Sequence, residues 1–146
     1  MTRELVKQKF GQVWPAHVAS FVDLLIEGRR AVGDLDLLLV LSVIGDRNMS
    51  QRRTAGERTH QELFERWSGR PEPEEINSQS IAHYTGIPRE KVRRKVNDLI
   101  MRGWLERRDG TLVVTRKCAE DLSPMTDKGI DYLSNMFRLL DAMRAE

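Results

Sequence analysis

Cysteine is nearly absent: the 146-residue chain carries one, Cys118. No internal disulfide can form, and a reducing cytoplasm is the expected location. Long hydrophobic runs are missing too. The most apolar stretch, Leu35 to Ile44, is about half the length of a membrane span. The opening segment MTRELVKQKFGQVW has no apolar core of signal-peptide length, so no membrane partner is expected. The histidines, His17, His60 and His83, lie far apart without metal-ligand spacing. ERTHQELFER contains His and Glu but not H-E-x-x-H, and no G-x-S-x-G, P-loop or G-x-G-x-x-G occurs. These absences argue against an enzyme and give no reason to expect a metal or other cofactor.

What is there describes a folded chain. Apolar residues make up 40% and charged residues 32%, the mixture of a globular protein and not of a disordered one. Net charge is only +2, but it is unevenly spread. From Arg89 to Arg108 eight basic residues face three acidic ones, so this stretch carries +5 and the remainder −3. Arg89, Lys91, Arg93, Arg94 and Lys95 place five cations within seven residues. A basic patch on a near-neutral chain points to one polyanion-binding face.

Periodicity and breakers divide the chain. Residues 1–47 read as an N-terminal helical region. Val18, Phe21, Val22 and Leu25 recur at helical spacing, Gly28 and Gly33 bracket a break, and Asp34 can cap a second helix from Leu35. That helix is apolar on nearly every side and needs neighbours around it, in the core or from another subunit. Residues 48–75 read as a polar connecting segment, with one short helix around Leu63, Phe64 and Trp67, a mobile tip from Met49 to Gly56, and a break at Pro71 and Pro73. Residues 117–146 read as a C-terminal helical region whose Ile130, Leu133, Phe137 and Leu140 form a narrow stripe suited to one partner helix. TRKCAEDL and TDKGIDYL share a spacing and read as two helix starts, at Thr115 and Thr126.

Residues 76–116 are the most informative. Asn77 or Ser78 caps a short helix, Gly86 supplies a tight turn, and Pro88 opens a longer helix through about Arg102. Val92, Val96, Leu99 and Ile100 are its expected buried face. WLERRDGTLVV then places two short apolar or β-branched runs around Asp109-Gly110, a strong hairpin signal. The expected fold is mainly α with a small β-hairpin wing: a winged helix-turn-helix core between N- and C-terminal dimerisation helices.

SIAHYTGIP, VRRKVNDLIMRGWLERR and GTLVVT carry a resemblance to the winged helix-turn-helix regulators of bacteria, with a layout similar to the MarR-like group. That family closes its second helix with L-x-x-x-G-[LW]-[LIV]-x-R, and Leu99, Gly103, Trp104, Leu105 and Arg107 stand at those places. The wing is shorter than usual there, with only RRDG at its tip, and residues 48–75 lengthen the approach to the first helix. The resemblance implies a homodimeric, DNA-binding transcription regulator with a cleft able to hold a small-molecule effector of unspecified identity.

The residues themselves name candidate contacts. Opposite the buried face lie Glu90, Arg94, Asn97 and Met101, flanked by Lys91, Arg93 and Asp98. In a major groove Arg93 or Arg94 would suit a guanine edge, Asn97 an adenine and Glu90 a cytosine amino group. Arg89 and Lys95 suit phosphates, as do Ser78 and Gln79 at the first helix N-terminus. Arg107 and Arg108 at the wing suit a phosphate or the minor groove. Two alternatives stand beside double-stranded DNA binding: a winged-helix adaptor for a protein partner, and a thiol sensor in which Arg116 and Lys117 activate Cys118.

Overall fold

A computed structural model describes residues 2–50 and 76–145. Seven helices and one hairpin occur among them: α1 (Thr2–Gln8), α2 (Phe10–Val32), α3 (Leu35–Ser50), α4 (Ser78–Thr85), α5 (Arg89–Met101), β1 (Leu105–Arg108), β2 (Thr111–Val114), α6 (Arg116–Asp121) and α7 (Ser123–Arg144). The fold is mainly helical with a small antiparallel hairpin, as expected. The helix expected around Leu63, Phe64 and Trp67 lies outside the described residues, as does most of the tip expected from Met49 to Gly56. Met49 itself is in α3.

The chain forms two compact units: residues 1–33 with 123–146, and residues 34–122. The division therefore falls at Gly33, not near residue 47. Gly33 takes a positive φ of 108° and ends α2, whereas Gly28 continues that helix.

In the first unit α2 and α7 pack as an antiparallel pair. Arg144 Nη2 donates to Thr2 Oγ1 at 3.3 Å at one end, and His17 Nδ1 lies 2.7 Å from the Tyr132 hydroxyl in the middle. Phe10, Trp14, His17 and Phe21 follow one another along α2 with ring centroids 5.0, 5.1 and 5.5 Å apart, the first and last pairs stacked and the middle one tilted. The pairing leaves much of the apolar surface uncovered. On α2 Trp14, Val18, Val22 and Ile26 remain 41–51% exposed, and on α7 Ile130, Leu133 and Phe137 remain 44–64% exposed. Thr126 does not begin the last helix, which starts at Ser123 and accommodates Pro124 in its first turn.

The second unit is built around α3. Asp34 caps it by accepting from the Leu37 N–H at 2.7 Å. Leu37, Val40, Leu41, Val43 and Ile44 are buried, and α3 packs against α4, α5 and β2. The all-round apolar helix thus finds its neighbours within its own unit, which removes it as an argument for a second subunit. Its C-terminal end holds a residue that the sequence reading assigned to the polar segment. Asn48 is buried; its Nδ2 donates to the Leu112 carbonyl at 3.1 Å and its Oδ1 accepts from the Val114 N–H at 2.9 Å. One carboxamide thereby serves β2 as a neighbouring strand would.

The remaining elements follow local chemistry closely. Asn77 and Ser80 form a reciprocal capping box at the start of α4. Gly86, with φ of 76°, ends that helix, and Ile87 is buried at the corner. The end of α5 is a Schellman motif: Trp104 N–H bonds to Leu99 O at 3.0 Å and Gly103 N–H to Ile100 O at 2.9 Å. Gly103 holds φ of 77°. The spacing Leu99, Gly103, Trp104 is therefore a helix stop with its hydrophobic anchor. Leu105 pairs with Val114 and Arg108 with Thr111 in the hairpin, and Asp109 (φ 49°) and Gly110 (φ 78°) make its two-residue turn.

Candidate nucleic-acid interface

Helix α5 is held by its inner face. Val92, Val96 and Leu99 are fully buried, and each such side chain contributes roughly 1.5–3 kcal/mol. Repulsion between solvated cations on the outer face is a fraction of that. The buried stripe thus lets the helix form with its charges unbalanced. Ile100, expected on the same face, is only half-buried.

The outer face carries Arg89, Glu90, Lys91, Arg93, Arg94, Asn97 and Met101, all exposed. Arg89 and Lys91 form no ion pair with the described residues. Glu90 stands in the midst of these cations. Its Oε1 lies 2.6 Å from Arg93 Nη2, and Arg93 Nε donates to Oε2 at 3.0 Å. Arg94 Nε is 3.9 Å from the same Oε1. The Arg93 hydrogen bonds, and then the charges of Arg93, Arg94 and Arg89, hold the Glu90 carboxyl below its usual range. Near the C-terminal end Asp98 pairs with Arg102 at 3.1 Å.

Lys95 requires a correction. Its ammonium lies 3.1 Å from both carboxylate oxygens of Asp34, and its side chain is only 19% exposed, against 72% for Arg94. It ties α5 to the N-cap of α3 and is drawn away from the exposed cations of the outer face. Burial raises the Asp34 pKa, but the Leu37 N–H and Lys95 outweigh it, and the carboxyl ends below its ordinary value.

The flanks are mixed. Ser78 is half-buried and Gln79 exposed in the first turn of α4, close to Ser80, whose Oγ accepts from Arg47 Nη1 at 3.1 Å. Arg107 and Arg108 are exposed on β1 beside the hairpin turn, and Arg108 pairs with Glu106 across one residue. Two large side chains are also exposed here: Met101, which helical phase places outward, and Tyr84, which the sequence did not single out. Tyr84, 70% exposed, has the Arg47 guanidinium 5.6 Å from its ring centroid, and Met101 is 89% exposed. For Tyr84 the available signal was a bulky aromatic residue beside the turn, one position before Thr85.

Elsewhere the candidates divide. Trp104 is a packing anchor: it is buried, donates from Nε1 to Asp121 Oδ2 at 2.8 Å, and carries the Arg102 guanidinium 5.2 Å from its ring centroid. Cys118 is buried, and desolvation, with the charge of Asp121, pushes its thiol up to about 12. The charge of Lys117 acts the other way but is outweighed, and Lys117 pairs with Asp121 while Arg116 pairs with Glu120. Among the described residues no group of three His, Cys, Asp or Glu is placed to hold a metal, and no helix is long and apolar enough to cross a membrane. A polar groove of about 460 Å³ runs between α2 and α7, lined in part by Asp23, Asp131, Tyr132 and Arg138. Compared with protein-family models, curated proteins and solved structures, the chain matches none.

Proposed function

We propose that the protein is a winged-helix DNA-binding regulator of transcription, similar in layout to MarR-like proteins and acting as a homodimer in the cytoplasm. One observation carries this reading. A helix locked into the core by Val92, Val96 and Leu99 presents Arg89, Lys91, Arg93, Arg94 and Asn97 on its open face, after a tight turn and before a basic hairpin. A rigid helix of that chemistry fits the major groove, where Arg and Asn can read guanine and adenine edges. Arg107 and Arg108 would add backbone or minor-groove contacts from the hairpin.

The apolar surface left on α2 and α7 supports a second copy as the other partner. A two-fold pairing of such stripes would give two recognition helices and a pseudo-palindromic site. The buried, strongly weakened acidity of Cys118 takes away the support for a thiol sensor. The groove between α2 and α7 offers a place for a polar effector, without indicating which.

Fluorescence anisotropy on a generic duplex tests the reading. Binding through about six to ten phosphates should weaken roughly 10³–10⁵-fold between 50 and 200 mM salt, and Arg93→Ala/Arg94→Ala should lower both affinity and salt slope. A wild type that ignores duplex DNA even at low salt would leave the basic helix to a protein partner.

A further inference from the structure

Glu90 is the feature of α5 that a plain phosphate-binding face does not explain. It is the one carboxylate among the cations of the helix's first two turns, since Asp98 stands near the other end, beside Arg102. It engages Arg93 through both of its oxygens and also approaches Arg94. The Arg93 fork that would grip a phosphate or a guanine is thereby occupied by the protein's own carboxylate.

We propose that Glu90 is a specificity-determining residue: it restrains Arg93 and Arg94 from indiscriminate phosphate contacts and releases them where a base edge offers its carboxylate a donor. This rests on the DNA-binding reading above. The chemistry is one-sided. An ionised carboxylate only accepts hydrogen bonds, and the major groove presents donors only at the cytosine N4 and adenine N6 amino groups. Beside a phosphate, or against the acceptor edges of guanine and thymine, Glu90 is repelled. If Arg93 leaves it for a phosphate, Glu90 loses its strongest partner and gains none. At a C·G pair both needs are met, because Glu90 can accept from the cytosine amino group while Arg93 takes O6 and N7 of the same or a neighbouring guanine. The cost of disengaging the pair thus falls mainly on the wrong sites.

The test compares the full-length wild type with Glu90→Gln and Glu90→Ala, all checked for helix content by circular dichroism. Each is titrated against a duplex enriched by selection on the wild type and against a scrambled duplex of equal length, across a salt series. Both variants should bind the scrambled duplex several-fold more tightly, with a salt slope steeper by about one phosphate contact. Discrimination between the two duplexes should fall roughly tenfold, the scale of one base-reading pair. Reselection on Glu90→Ala should lose a cytosine or adenine preference at one position per half-site. If the wild type binds DNA but both variants match it on scrambled duplex in affinity and slope, or bind it more weakly, Glu90 is an ordinary surface ion pair and the inference fails alone. If selection on the wild type enriches no duplex and none of the three proteins binds the scrambled one, the DNA-binding reading itself fails.

Discussion

Asn48→Ala probes the least obvious joint of the winged unit. The carboxamide donates to the Leu112 carbonyl and accepts from the Val114 N–H, at 3.1 and 2.9 Å. Both groups belong to a strand whose four residues are all buried, and β1 is its only strand partner among the described residues. Truncation removes both of these bonds to buried backbone groups. Each bond so removed costs about 1–3 kcal/mol, and partial access of water reduces the sum, so the expected loss is about 2–4 kcal/mol. The same loss should lower the thermal midpoint by roughly 6–16 °C for a chain of this size. Urea unfolding followed by circular dichroism measures it as a lower midpoint at unchanged slope. Asn48→Asp adds a sign. The new carboxylate can still accept from Val114 N–H but faces the Leu112 carbonyl with no proton to give, and burial should raise its pKa in the folded state. Stability should therefore be lowest near neutral pH and recover as pH falls through that raised value, when the acid regains a donor. A loss below about 0.5 kcal/mol for Asn48→Ala, the range of a plain surface change, would refute the strand-like role.

Three further outcomes follow from other parts of the molecule. Gly103→Ala forces a side chain onto φ of 77°, with its Cβ 3.2 Å from Lys117 Cδ, and should cost about 1–2 kcal/mol in the same urea assay. The Cys118 thiol should resist alkylation in the native protein and react on unfolding. Because its folded pKa is raised to about 12, its contribution to stability is complete below the unfolded thiol's pKa and is lost as pH climbs towards that value; fast native labelling near neutral pH would contradict the burial. Val18→Glu combined with Leu133→Glu places charges on the exposed stripes of α2 and α7; if the proposed dimer forms through them, the wild type should sediment as a dimer and the variant as a monomer, with helix content retained.

Much of the winged unit was legible because its signals are local. Asp109-Gly110 named the hairpin turn, Pro88 and Gly103 bounded α5, and the spacing of Val92, Val96 and Leu99 set its inner face. These depend on backbone sterics and helical phase, which a few consecutive residues determine. What stayed hidden depends on distant partners. Helical phase put Lys95 on a flank but could not show Asp34, 61 positions earlier, waiting there. Asn48 reads as the start of a polar loop unless β2 is already in place beside it. Leu35 to Ile44 announced burial without saying against what, and the answer moved the unit boundary back to Gly33. Arg116 and Lys117 adjoin Cys118 in sequence, yet on a helix neighbours diverge by about 100° per residue, so their charges turn to Glu120 and Asp121 and leave the thiol in the core. The spacing of Val18 and Val22 marked an apolar face on α2 but not how much of it α7 covers, which is only part.

Selection from random-sequence duplex DNA, run over several rounds on the wild type and on Arg93→Ala/Arg94→Ala, is the most direct test of the central proposal. Enrichment of a two-fold symmetric motif by the wild type, and its loss with the double variant, is the expected result. A wild type that enriches no sequence and shows no affinity for duplex DNA at low salt would contradict it.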